Sequence, residues 1–138
     1  MNIDSIKRGI VIDHIHAGRS KDVDKYLHLA DLPCSVAIIR NVKSKRMGRK
    51  DIIKIDDDID VDLDALGYVD PDVTINIIED GRIVEKKRIA LPEKLVNVIR
   101  CKNPRCITSV EPELDQVFRL ADPARHIYRC VYCDAEKK

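Results

Sequence analysis

Glycine, aromatic side chains and long apolar runs are all scarce in this chain, and each shortage closes off a class of function. The five glycines are never clustered, so no glycine-rich loop is available to cradle phosphates. No G-x-S-x-G nucleophile elbow occurs, nor a histidine pair of the kind that holds a catalytic metal with an open position. One phenylalanine, four tyrosines and no tryptophan leave little for nucleic-acid bases to stack on. No apolar run approaches the roughly 20 residues that a bilayer-spanning helix needs. MNIDSIKRG at the start lacks the apolar core of a secretory signal, and the expected location is the cytoplasm. Net charge is nearly absent too: 25 Lys and Arg face 24 Asp and Glu. The chain as a whole therefore offers no field that would attract a polyanion or an anionic membrane.

What is present reads as a mixed α and β domain. IKRGIVIDHI (6–15) is an Ile/Val-rich strand. In the following stretch Val23, Tyr26, Leu27 and Ala30 recur at i, i+3, i+4 and i+7, which predicts a helix with Ser20 as its N-cap and Pro33 as its stop. CSVAIIRNV (34–42) and RKDIIKID (49–56) predict a hairpin turning near Gly48, and Cys34 is expected to be a small core residue of its first strand. Val61, Leu63 and Leu66 support a short helix. A second hairpin spans 73–91 around Asp80-Gly81, a pair that tolerates the positive φ angles of a tight turn. The order β-α-β-β-α-β with one further strand is that of a ferredoxin-like α+β sandwich whose antiparallel sheet is extended by the last hairpin. Beyond Pro92 the periodicity gives way to prolines, turns and cysteines, so the expected domains are 1–94 and a small, metal-stapled β domain over 95–138.

Charge is sorted along the chain although it cancels overall. Six of the eleven residues from Arg40 to Lys50 are basic and none is acidic, whereas Asp51 to Asp80 holds eleven acidic residues and a single basic one, Lys54. Both blocks read as solvated hairpin and loop faces. Lys54 stands apart because it lies among isoleucines inside a strand, where a cation needs a ligand or a partner. Asp13-His14, at the end of the first strand, suits a surface or ligand-contact pair better than a catalytic one. His16, His28 and His126 have no partner that the sequence identifies.

Cys101-x4-Cys106 and Cys130-x2-Cys133 supply four thiolates from two short loops. Two chelate loops of that size can close a tetrahedron around Zn²⁺. Four thiolates leave no open position, so such a centre is structural and activates neither water nor substrate. Its formal charge of −2 would be moderated by Arg100, Lys102, Arg105 and Arg129. Two disulfides, unrelated thiols or an iron centre are the alternatives. The segment 95–138 has few large apolar side chains, chiefly Leu95, Val98, Ile99, Ile107, Val117, Phe118, Leu120, Tyr128 and Tyr132. Those are too few to order it without a staple.

KRGIVIDHI, MGRKDIIKI, the hairpin ending in LPEKLVNVIRC and the four-cysteine pattern together resemble, in order and spacing, the regulatory chain of aspartate carbamoyltransferase. The resemblance covers nearly the whole chain. It implies a protein without chemistry of its own: an N-terminal allosteric domain that binds nucleoside triphosphates, with CTP and UTP as inhibitors and ATP as activator, and a C-terminal zinc domain that docks on the catalytic chain. It also implies a regulatory dimer. Carried over by position, the nucleotide site would use Ile6, Val11, Asp13, His14, Lys54, Asn76, Ile78, Ile83 and Lys86, with Lys50 serving a second nucleotide. Lys86 and His14 would meet phosphate oxygens, Lys54 the ribose or base oxygens, and backbone near Ile6 and Ile78 the base edge. The chain departs from the family pattern at Gly81, where the family can carry a larger side chain, and in its short N-terminal arm.

Two other classes compete. A zinc-ribbon module for nucleic acid would draw on the cysteine knuckles and the basic 40–50 hairpin, but the acidic block directly beyond that hairpin opposes binding to a polyanion. A small enzyme would use Asp13 and His14. Salt-dependent nucleic-acid binding tests the first, and turnover by the isolated chain after substitution of His14 tests the second. The expected partners are the catalytic chain, a second copy of this chain and nucleotides, with no nucleic acid and no membrane.

Overall fold

The computed structural model describes residues 7–137, which divide into two compact units, residues 7–90 and 91–137. In the first, β1 (Arg8–His16), α1 (Ser20–Leu27), β2 (Val36–Ser44), β3 (Gly48–Ile55), α2 (Leu63–Val69), β4 (Thr74–Glu79) and β5 (Arg82–Arg88) follow in that order. The strands form one sheet in the order β2-β3-β1-β4-β5, and every neighbouring pair is antiparallel. This is the ferredoxin-like order expected from the sequence, with β5 added beside β4.

Alternation along the strands decides which face is buried. Ile10, Ile12 and Ile15 of β1, Ile53 and Ile55 of β3, and Ile75 of β4 pack with Val23 of α1 and Leu66 of α2 into a single core. Leu29 and Val73 complete it. A side chain next to any of these strand residues points to the opposite face. That face carries no helix core and holds Val11, Lys54 and Asn76.

The turns follow local chemistry. Asp80 and Gly81 both take positive φ, 52° and 73°, which closes the β4–β5 hairpin in the tight form expected for an Asp-Gly pair. A Cβ built on Gly81 would meet nothing within 4 Å, so its backbone angle is what favours glycine there. Asp62 caps α2, its carboxylate accepting the Ala65 N–H at 3.1 Å.

At α1 the structure corrects the sequence reading. Ser20 is the first residue of the helix and makes no side-chain cap; the residue before it, Arg19, occupies the cap position without a side-chain bond. The carboxylate that serves this helix start comes from Asp51 on β3. It accepts the N–H groups of Gly18 at 3.0 Å and Ser20 at 3.2 Å, and that of Asn41 at 2.9 Å. Asp51 is fully buried. Burial alone would raise its carboxyl, but the bonds from Asn41, Ser20 and Gly18 outweigh that and hold it below the usual carboxylate range. The helix also stops earlier than expected: His28 turns left-handed at φ 54°, and a 3-10 turn, Leu29–Asp31, precedes Pro33. Cys34 lies just before β2 rather than within it, half-buried against the core.

The second unit is smaller. β6 (Lys94–Val96), α3 (Ile107–Val110), β7 (Val117–Asp122) and β8 (Ile127–Cys130) build a three-stranded antiparallel sheet in the order β6-β7-β8. Its buried apolar residues are Leu95, Ile99, Phe118 and Tyr128 together with Cys106 and Cys130. The Tyr128 hydroxyl donates to the Pro92 carbonyl. Ile107 and Tyr132, counted among its apolar side chains from the sequence, are 47% and 43% exposed.

Candidate functional site

Two clusters stand out, one in each unit. In the second, two loops bring the sulfurs of Cys101, Cys106, Cys130 and Cys133 within 4.8 Å of one another. Cys101 and Cys133 sulfurs are 3.6 Å apart and those of Cys106 and Cys130 3.8 Å. A disulfide requires about 2.05 Å, so these cysteines are free thiols. Metal–sulfur bonds of about 2.3 Å in a tetrahedron place the sulfurs about 3.8 Å apart, the spacing observed. The surroundings also fit a metal. The backbone N–H of Asn103 points at Cys101, those of Tyr132 and Cys133 at Cys130, and that of Ala135 at Cys133. The Thr108 hydroxyl donates to the Cys106 sulfur at 3.1 Å, and the Cys101 N–H is held by buried Gln116 at 2.8 Å. Outer bonds of this kind orient ligands and spread their charge. Burial pushes the Cys101 thiol up to about 12. Burial also acts on Cys133, but the Ala135 N–H and neighbouring groups hold that thiol down at about 7. With both cysteine pairs converging on one centre, the set leaves no place for a substrate.

The other cluster lies on the helix-free face of the five-stranded sheet. Register aligns it: Val11 of β1 pairs with Lys54 of β3 and with Asn76 of β4, and Asn76 pairs with Lys86 of β5. Lys54, Val11, Asn76 and Lys86 therefore form one row across four strands. On one side of it Gly9, Ile78 and Ile83 form a second row. On the other, Asp13, Thr74 and Arg88 form a third. Asn76 is 8% exposed, and its Oδ1 has no hydrogen-bond partner among the described residues. A buried acceptor left open in this way has room in its hydrogen bonding for a water or a ligand donor.

At the end of the third row β1 is irregular. Its register with β3 shifts between Ile12 and Ile15, and His14 takes φ 60°. The kink sets His14 Nδ1 within hydrogen-bond distance of the Thr74 hydroxyl, at 3.2 Å. Asp13 Oδ1 accepts the His14 N–H at 2.6 Å and pairs with Lys50 Nζ at 2.9 Å. Burial lowers the His14 pKa; Asp13 opposes that shift, and Lys50, Arg46 and Arg88 add to it. Of the ten residues expected at this site, Val11, Lys54, Asn76, Ile78, Ile83 and Lys86 lie in the rows, with Asp13, His14 and Lys50 at their end. Ile6 lies outside the described residues. Thr74, Arg46 and Arg88 were missed. Strand alternation carried the signal for two of them, since Thr74 and Asn76, like Lys86 and Arg88, are two residues apart on neighbouring strands. His16, which had no identifiable partner, donates its backbone N–H to buried Asp70 at 2.8 Å and sets its ring Nδ1 2.7 Å from the same oxygen.

An open sheet face with a buried, unpartnered acceptor in one unit and four converging cysteines in the other divide the described residues into two modules of different chemistry. Known proteins divide in the same way. Residues 1–90 match the allosteric domain of the aspartate carbamoyltransferase regulatory chain, and residues 93–138 match the metal binding domain of the same chain. The aspartate carbamoyltransferase regulatory chain of Bifidobacterium longum is 50% identical over 138 residues, 100% of this chain and 99% of the relative. That of Clostridium tetani is 53% identical over 135 residues, 97% of this chain and 94% of the relative. The chain belongs to the family of aspartate carbamoyltransferase regulatory chains. It is thus a non-catalytic regulatory subunit with a metal-binding domain, and its family places it in pyrimidine biosynthesis with a catalytic chain as partner. No helix among the described residues is long and apolar enough to cross a membrane.

Proposed function

We propose that the N-terminal unit binds nucleoside triphosphates on its helix-free face, CTP and UTP inhibiting and ATP activating, and that the C-terminal unit, closed by one Zn²⁺, docks on the catalytic chain. The observation that carries this reading is the row Lys54–Val11–Asn76–Lys86 with the unpartnered Asn76 acceptor at its middle. Two ammonium groups flank a buried acceptor, and the isoleucines of the next row offer a flat apolar bed for a base. His14, Asp13 and Lys50 close the end where phosphates would lie, Lys50 in reach of a second nucleotide. Ile6 joins the site from the resemblance alone.

Docking draws support from the distribution of apolar surface. Val96, Ile107, Val110, Val131 and Tyr132 are exposed in the second unit, five of the eight large hydrophobics exposed among the described residues. Val96 pairs with Val117 of β7, and the Val131 N–H bonds the Val117 carbonyl, so part of this surface is contiguous. Contiguous apolar surface on so small a unit suits a partner protein. The chain also pairs with a second copy through its N-terminal unit, works in the cytoplasm, and involves neither nucleic acid nor membrane. Control of the partner is thermodynamic: a nucleotide acts by binding one global state better, a difference of roughly 1 to 3 kcal/mol in typical systems.

Replacing Lys54 or Lys86 with Ala tests the site. Each loss is expected to weaken CTP and ATP binding by about 1.5 to 3 kcal/mol, the usual cost of a lost charge-assisted bond, with folding retained. Calorimetry that returned wild-type affinities in both variants would remove these lysines from the site.

A further inference from the structure

A buried carboxylate between β1 and α2 organises a group of metal-ligating side chains that neither the sheet face nor the cysteines use. Asp70, fully buried at the end of α2, accepts the His16 N–H at 2.8 Å with Oδ2, and the same oxygen lies 2.7 Å from His16 Nδ1. Its other oxygen, Oδ1, accepts the Asp72 N–H at 3.1 Å. A carboxylate engaged in this way only accepts, so the ring nitrogen facing it carries the hydrogen and Nε2 keeps its lone pair. One buried side chain thus fixes both the tautomer of His16 and the backbone that presents Asp72. His16 Nε2 and Asp72 Oδ2 then stand 3.6 Å apart. That gap is too long for a hydrogen bond. It is close to the roughly 3.4 Å that separates two ligands of a tetrahedral ion with bonds of about 2.05 Å. The Asp72 side chain is exposed and that of His16 partly so, which lets an ion reach them from solvent. Apart from His16, neither carboxylate has an ion-pair partner among the described residues. Arg19 meets the same helix end through the Val69 carbonyl instead, at 3.1 Å.

We propose that His16 Nε2 and Asp72 Oδ2 form a second divalent-metal site, on the first unit, with Asp70 as the carboxylate behind the ligating imidazole. A carboxylate–histidine–metal line of this kind orients the ring and raises its basicity. The end of α2 favours the site further, because the negative pole of a helix attracts a cation. An imidazole nitrogen beside a single carboxylate oxygen suits Zn²⁺ or Ni²⁺, whereas Mg²⁺ and Ca²⁺ prefer oxygen alone. Two protein ligands leave the remaining positions to water, so this site is open where four thiolates would make a closed one. Its role also differs from that of a staple. The first unit has its own apolar core, and an ion held here is an addition to a fold already formed, joining the end of β1 to the segment between α2 and β4.

The test titrates Zn²⁺ by calorimetry into the full chain with its cysteines already loaded, and into His16→Gln and Asp72→Asn treated in the same way. Wild type should take up one ion beyond that held by the cysteines. Each variant should lose this uptake, because a single remaining donor does not chelate. Asp72 is exposed, so its variant is expected to keep the fold, and circular dichroism checks all three proteins. Asp70→Asn keeps both ligands and removes the charge behind the ring, and should weaken the extra binding about ten- to a hundredfold. Mg²⁺ in place of Zn²⁺ should give no such binding. Location is read separately: added Ni²⁺, which is paramagnetic, should broaden the ring resonances of His16 before those of His14, His28 and His126. A wild-type chain that took up no further Zn²⁺ would overturn the site. Undiminished uptake in both His16→Gln and Asp72→Asn, or broadening that began at another histidine, would overturn it equally.

Discussion

The two units of this chain reach order by different means. In the first, six isoleucines of three strands lie beneath two helices, and a continuous apolar core is made by one five-stranded sheet. In the second, four ordinary apolar residues are buried, and two of the four clustered cysteines complete the core. A sheet of three short strands with so little behind it cannot offset the entropy of ordering its loops. The first unit holds itself together and leaves a sheet face free for a ligand. The second gives its centre to sulfur and has its apolar surface outside. On the proposed reading, binding and assembly can then be separated experimentally, because the four clustered cysteines lie in one unit alone.

The largest effect should come from removing that metal. Thiolate-rich structural sites contribute on the order of 10 kcal/mol near neutral pH. Treating the complex with a mercurial should unfold the second unit and release the catalytic chain, as read by sedimentation, while calorimetry on the first unit still detects CTP. Restoring thiol and Zn²⁺ should restore association. A complex that stayed intact after verified metal loss would break the contrast between the units.

Next in size is Asp51. Replacing it with Ala leaves the Gly18, Ser20 and Asn41 N–H groups without their buried acceptor, a loss of about 3 kcal/mol or more. The carboxyl is held below its ordinary value in the folded chain, so its contribution is complete above the unfolded value, roughly pH 4, and fades as pH falls through the lower folded one. Denaturant unfolding between about pH 5 and pH 2 should therefore show a steeper loss for the wild-type first unit than for Asp51→Asn. Equal slopes would remove Asp51 as the acid-sensitive point.

Much of this arrangement was legible in residue order. Alternation in IVIDHI and DIIKI fixed which side chains share a face, Asp80-Gly81 fixed a hairpin, and the spacing of two cysteine pairs fixed a four-sulfur centre. What escaped was contact over distance. Asp51 serves a helix start 31 residues earlier, and nothing local to Ser20 announces it. The kink at His14 depends on a register shift against β3 that the run of apolar residues conceals. Arg88 and Thr74 share a row only once β4 and β5 are paired. Local propensity sees the elements, whereas sites assembled across strands need the register.

Two smaller substitutions probe the same contrast, one in each unit. In the second, Thr108→Val keeps the shape of a buried side chain and removes the hydroxyl bonded to the Cys106 sulfur. Loss of such an outer-shell bond typically lowers metal affinity about tenfold or more. Competition with a chromogenic chelator should show the change, and the melting of the first unit should not move.

In the first unit the counterpart is Asp62→Ala. The Asp62 carboxylate satisfies one of the N–H groups that the start of α2 leaves without a partner in the helix. Losing an N-cap costs about 1 kcal/mol. In a domain of this size that corresponds to a fall of roughly 4–8 °C in melting temperature. The cap lies at the surface end of a seven-residue helix whose Ala65 and Leu66 are buried, so the loss should spread to the whole first unit rather than fray one turn. Because the four clustered cysteines all belong to the other unit, adding a chelator should leave the size of the shift unchanged. Calorimetric scans of wild type and Asp62→Ala, each with and without chelator, supply the four melting temperatures needed. If the chelator altered the difference between the two proteins, the first unit would be drawing stability from the metal centre, and the division between a self-supporting unit and a metal-dependent one would fail.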